Sequence, residues 1–454
     1  MPMQTHYRFE SAWLSSGWRN NVVVTVDDRG DIVAVTPEDT ATPASLIRGA
    51  ALPGMPNSHS HAFQRAMAGA AERREGDADS FWSWREAMYR AAERLTPEAL
   101  TAIAAQTYVD MLKAGYTAVC EFHYVHNQPD GRPYADATAM FDALRSAAAA
   151  SGIGQTLLPT LYQHADFLQA PPAPRQRRFV LETDPYLRAL EYVRSSEGRS
   201  GQQATGIAFH SLRAVSVEAM RAVLDAHPDF NVIHIHVAEQ KLEVERCVQF
   251  LGRRPIEWLD EQVELDSRWN LIHATHASAS ELELIARRDA VVVLCPTTEG
   301  NLGDGVFPLE SFLRARGAFA IGSDSQVCLS PTEELRWLEY QARLSKRVRS
   351  VLAEPPLSTG ATLWRDACVG GARASARRIG ALAPGHRADI VVVDTQDPAF
   401  INRHGDVVID TLVFVAPPRA VRDVMVGGRW LVQEGRHFAE AGIAASYRRA
   451  LKDW

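Results

Sequence analysis

The sequence predicts an α/β fold: a closed βα barrel of eight parallel strands carrying a small β-sandwich domain built from both chain ends. Three observations predict it. Between residues 51 and 379, short apolar runs alternate with longer stretches of helical periodicity, the pattern of βα units on a parallel sheet. Before residue 50 and after residue 380, strand signals recur with turn residues between them. Finally, His59, His61, His236, His273 and Asp324 each stand at or just past the end of an apolar run, although they are far apart in the chain. A barrel gathers such positions, because all its strands end on one rim.

The elements follow in order. Residues 1–50 carry alternating segments such as 21–26, broken by Asp27-Asp28-Arg29-Gly30, and read as hairpin strands. In the barrel region, 51–379, strands are expected at 117–122, 154–162, 207–210, 232–237, 271–273, 291–295 and 318–321. Helical patterns fall between them at 97–114, 135–151, 217–226 and 242–251. Residues 380–454 return to strands at 388–394, 421–426 and 429–432, the last two joined across Gly427-Gly428 as a hairpin. Ala170-Pro171-Pro172-Ala173-Pro174 reads as a surface loop. The charged stretch 73–79 leads into a helix expected near Ser80 and reads equally as a solvated loop or as part of a lid over 73–85.

Composition narrows the function. With 46% hydrophobic and 23% charged residues, the chain can bury a large core. A net charge of −7 gives no reason to expect nucleic acid or an anionic membrane as partner. There is no signal-peptide pattern and no apolar run long enough to span a bilayer, so a cytoplasmic protein is expected. Five cysteines without paired spacing read as reduced thiols.

His59 and His61 share strand parity and therefore one face. Imidazole nitrogens with a carboxylate suit a divalent transition metal, most often zinc, with a position open to water. A lone His-x-His is a weak signal; His59, His61, His236 and Asp324 together make a metal-dependent hydrolase the leading reading. His6, His227, His386, His404 and His437 read instead as hydrogen-bonded structural residues. His234, one barrel layer below His236, reads as a core histidine.

Several segments carry a resemblance. Pro53-Gly54-Met55-Pro56-Asn57-Ser58-His59-Ser60-His61, His236-Val237-Ala238-Glu239, His273 and Gly322-Ser323-Asp324 resemble the amidohydrolase superfamily, in its deaminase branch. Within that branch, His59 through Arg65, Glu121 through His126, His210 through Val215 and Cys295 through Gly305 are similar to the members that hydrolyse N-formimino-L-glutamate. The resemblance covers nearly the whole chain and implies one metal, most simply Zn2+, held by His59, His61, His236 and Asp324. Binuclear members bridge two metals with a carboxylated lysine or a glutamate on the fourth strand, and residues 205–213 contain no lysine.

By the same resemblance, Glu239, His273 and Asp324 are catalytic. Asp324 and His273 take and hold the proton of the attacking water, and Glu239 protonates the departing nitrogen. Substrate carboxylates would meet Arg85 and Arg213, with Gln64, Tyr124 and His210 adding hydrogen bonds. Arg65 braces the loop or joins this set. The expected partner is a small dicarboxylate imine, and the expected assembly a homodimer. Another deaminase of the branch, acting on a purine, pterin or triazine, is the enzymatic alternative. A noncatalytic scaffold would have lost at least one of these residues, and none is missing.

Overall fold

The computed structural model describes residues 4–72, 81–198, 201–452 and 454. Residues 73–80, most of the loop-or-lid segment, lie outside the described residues.

Eight parallel strands form the barrel: Met55–Ser60, Tyr116–His123, Gly154–Leu161, Ile207–Ser211, Ile233–Val237, Trp269–His273, Val291–Leu294 and Ala318–Ile321. They neighbour one another in chain order. Runs such as Val291–Leu294 are apolar throughout because both faces are covered, inward by the barrel core and outward by helices. The seam between the eighth and first strands is closed by backbone hydrogen bonds. The His59 carbonyl accepts from the amides of Ser323 (3.1 Å) and Asp324 (3.0 Å), and the His61 amide donates to the Asp324 carbonyl (3.1 Å). Gly322 permits this approach, since a Cβ there would lie 2.7 Å from that of His59.

The helices start on conventional caps. Thr96, Ser216, Ser278, Ser330 and Ser358 each accept the third amide of the helix that follows, each contributing about 1 kcal/mol. The helix expected from residue 135 begins at Ala139 instead. Asp136 accepts the amide (2.9 Å) and hydroxyl (2.6 Å) of Thr138, a local turn that competes with helix. The helix Thr359–Ala374 packs backbone against backbone on the eighth strand, where a Cβ on Gly370 would meet the Phe319 carbonyl oxygen at 1.8 Å.

The chain ends meet in one mixed sheet of eight strands. Its order is Arg436–His437, Arg429–Gln433, Val421–Val426, Ile390–Val393, Leu46–Pro53, Thr5–Leu14, Gly17–Val26, Ile32–Thr36. The two ends join where Ile390–Val393 pairs antiparallel with Leu46–Pro53. The sheet curls over a core of Phe9, Val22, Val24, Ile390, Val392 and Met425, which gives it the sandwich character expected from the sequence. Tyr7 and Trp430, four strands apart in the order, bring their rings within 6.0 Å, and the Tyr7 hydroxyl donates to the Gly428 carbonyl at 3.0 Å. All five cysteines are unpaired, and no helix among the described residues is long and apolar enough to cross a membrane.

Candidate active site

The C-terminal rim of the barrel brings four of the named side chains to one point. His59 and His61 come from the end of the first strand, His236 from the fifth, and Asp324 follows the eighth. One nitrogen or oxygen from each lies within 4.8 Å of all the others. Asp324 Oδ1 is 3.3 Å from His59 Nε2 and 3.4 Å from His61 Nε2, and the Nε2 atoms of His59 and His236 are 3.0 Å apart.

The tautomers follow from the carbonyls around them. His61 Nδ1 donates to the Phe122 carbonyl (2.7 Å) and His236 Nδ1 to that of His210 (2.9 Å). Burial drives the pKa of both rings down, so each is neutral and turns an Nε2 lone pair inward. Converging lone pairs and a carboxylate oxygen repel one another unless a cation sits among them. The donor set therefore fits a divalent metal.

His273 ends the sixth strand, with Nε2 3.6 Å from Asp324 Oδ2 and Nδ1 3.2 Å from Glu299 Oε1. Burial disfavours its charge, yet the carboxylates of Glu239, Glu299 and Asp324 outweigh this and raise its pKa. Burial raises the Glu239 carboxyl as well, against the pull of His273 and Arg213. Glu239 is held by its backbone: Glu243, at the start of the next helix, turns back to accept the amides of Ala238 (3.2 Å) and Glu239 (3.1 Å). Ala238, His273, Ala274 and Asp324 all have positive φ, which costs about 1–2 kcal/mol for each non-glycine residue. Four such positions on one rim fit the strain that gathers at functional sites.

Above this cluster opens a partly enclosed cleft. Gln64, Arg85, Tyr124, His210, Arg213 and Glu239 line it together with His61, His236, His273 and Asp324. Gln64 Nε2 donates to the Tyr124 hydroxyl at 3.0 Å, while Gln64 Oε1 and Arg213 Nη1 are buried without a hydrogen-bond partner among the described residues. Arg65 lies outside the cleft lining and braces the rim, donating to the Gln326 carbonyl at 2.8 Å. His234 is buried beneath and donates from Nε2 to the Ala374 carbonyl at 2.8 Å, as a core histidine should.

Comparison with known proteins now decides the family: a model described as the amidohydrolase family matches residues 50–431. The chain belongs to the amidohydrolase family. The formimidoylglutamate deiminase of Pseudomonas aeruginosa is 48% identical to it, over 97% of this chain and 98% of that protein. An amidohydrolase from Brucella melitensis superposes with a TM-score of 0.93 at 42% identity, covering 99% of each chain. An adenosine deaminase from Xanthomonas campestris, with bound zinc, has a TM-score of 0.82 at 22% identity, over 98% of this chain and 97% of that one, a likeness of fold alone.

In this amidohydrolase several site residues escaped sequence reasoning. Glu299 orients His273, brought to it by the pairing of the sixth strand with the seventh, after which Glu299 follows. Glu121 accepts from Ser60 Oγ (2.7 Å), the Ala62 amide (2.8 Å) and the Tyr108 hydroxyl (3.0 Å), anchoring the turn that carries His59 and His61. Burial pushes its carboxyl up to about 7. A carboxylate inside the apolar run 116–122 was the available signal. Trp84, Met88, Tyr89, Tyr162 and Phe179 complete the cleft wall from elements whose relation to the rim is purely tertiary.

Proposed function

We propose that this chain hydrolyses N-formimino-L-glutamate to N-formyl-L-glutamate and ammonia, a step of histidine degradation. The 48% identity to a formimidoylglutamate deiminase along almost the full length carries the reading. The cleft supports it. Arg213 offers to a carboxylate a buried Nη1 that has no hydrogen-bond partner among the described residues, and Gln64 Oε1 offers an acceptor to an imino N–H. Arg85 stands in the same lining and would serve the second carboxylate, with Tyr124 and His210 beside it.

His59, His61, His236 and Asp324 would hold one metal ion, for which zinc is our choice. When bound, such a metal would lower the pKa of a water toward neutrality and so supply a nucleophile at neutral pH. The chain's own groups then manage protons. Asp324 and His273 orient the attacking water and take its proton. Attack on the C=N carbon makes a tetrahedral centre, and Glu239, its carboxyl raised toward neutrality, protonates the nitrogen that leaves as ammonia. One water is consumed, the C–N bond to that nitrogen breaks, and the carbon becomes a formyl group. We place the enzyme in the cytoplasm, where its five free thiols stay reduced, working as a homodimer.

The aromatic wall of Trp84, Tyr89, Tyr124, Tyr162 and Phe179 favours a second reading, a deaminase of purines, pterins or triazines. Against it, a neutral ring would leave Arg213 Nη1 without an acceptor, at a cost of about 1–3 kcal/mol. The test is ammonia release by zinc-loaded protein from N-formimino-L-glutamate, with chelated protein and guanine as controls. Metal-dependent release from the formimino compound alone is expected. Release from guanine alone would replace this reading with the second.

A further inference from the structure

We infer that Arg178, outside the catalytic cluster, is the positioning residue of the substrate wall. It locks the helix that carries Arg85 to the turn that carries Phe179. The helix Phe81–Arg94 presents Trp84, Arg85, Met88 and Tyr89 to the cleft, at spacings that share one helical face. It packs mainly on two short turns, Ala62–Met67 and Pro174–Phe179. Its placement therefore depends on how its C-terminal end, with unsatisfied carbonyls, is tied down.

Arg178 ties it. The side chain is only 1% exposed. Nη1 donates to the Ala92 carbonyl, Nη2 to the Leu95 carbonyl (3.0 Å) and the Tyr134 hydroxyl (3.4 Å), and Nε to the Asn127 carbonyl (3.2 Å). Its own carbonyl accepts the amides of His126 and Asn127, each at 2.9 Å. Among the described residues no carboxylate pairs with Arg178; Glu93 acts on it only at longer range, and the guanidinium faces carbonyls at the negative end of the helix dipole. A buried charge without an ionic partner stabilises poorly, and an apolar residue would fill the space at lower cost. The forked geometry is what such a residue lacks.

The same turn shapes the opposite side of the wall. Gln176 Nε2 donates to the Tyr162 hydroxyl at 2.8 Å, and the Phe179 ring meets Tyr89, Tyr124 and Tyr162 at 5.9, 5.3 and 5.8 Å. On the surface Arg175 pairs with Glu86 (2.7 Å) and Glu93 (3.0 Å) of the same helix. One short segment thus sets both the aromatic wall and the arginine that faces it. This deepens the proposed function, on which only the substrate readout rests.

The test combines R178M and R178K with hydrogen exchange and steady-state kinetics. In R178M, exchange should quicken in 81–94 while the barrel strands keep their protection and metal content holds. KM for N-formimino-L-glutamate should rise more than kcat falls, with kcat/KM down about 10- to 100-fold. R178K, which keeps the charge but not the fork, should recover part of the loss, and it carries the test if R178M does not fold. In an R85M background the added effect of the Arg178 substitution on KM should shrink to within about twofold, because both act on one contact. Unchanged protection of 81–94, a loss of protection spread over the whole chain in R178K, or effects that multiply with R85M would overturn the inference. If the unmodified protein releases no ammonia from the substrate, the proposed function fails, while the exchange data still decide the clamp.

Discussion

At His126, burial pushes the imidazole down to about 4, although Nε2 donates to the Thr160 carbonyl at 2.8 Å. The ring is neutral in the fold, whereas the unfolded chain takes a proton below about 6.5. Its contribution is complete above that pH and is lost as pH falls from about 6.5 through 4, by about 3 kcal/mol in all. Denaturant titrations of the wild type and H126Q across this window should show a shallower acid loss for the variant, by about one proton. Equal slopes would sink the account. Nearer the chemistry, E239Q and H273N should fold and retain metal yet lose about 10²- to 10⁴-fold in kcat, read by ammonia release. The sequence exposed His273 by its place at the end of an apolar run and Glu239 by its resemblance to the deaminase pattern after His236. It hid Glu299 and Arg178, because nothing local distinguishes a carboxylate or guanidinium that finds its partner only across the fold.

Elements read well where a local signal decides them. Strand ends and helix caps lie within a few residues of expectation because apolar runs and Ser or Thr caps act over one turn. The helix Thr359–Ala374 shows the opposite case: nothing in its sequence says how closely it lies on the eighth strand. Two substitutions separate these layers. S278A removes a capping box with Glu281 and should cost about 1 kcal/mol by urea denaturation. G370A keeps the helix but drives a Cβ toward the Phe319 carbonyl oxygen and should cost about 1–3 kcal/mol or more. A smaller loss for G370A than for S278A would mean that the contact relaxes freely.

For the whole molecule, the seam of the barrel and the metal cluster share His59, His61 and Asp324. Metal binding should therefore stabilise the closed barrel as a unit. At a free metal concentration 1,000 times Kd, linkage adds about 4 kcal/mol. Chelation should lower Tm and zinc should restore it, whereas D324N should melt lower and respond weakly to zinc. A melting curve indifferent to chelator would detach metal from closure.

By itself the sequence determined the barrel, the curled sheet from both ends and the residues that gather in the candidate metal cluster, because each rests on periodicity or on residue types at strand ends, properties written locally. Only the tertiary structure decided which histidine nitrogens turn inward, which acid orients His273 and which arginine ties the end of the helix 81–94 to the turn 174–179. Those depend on carbonyls, carboxylates and rings brought together by the packing of neighbouring strands and the loops that follow them, between residues whose separation along the chain carries no trace of their contact.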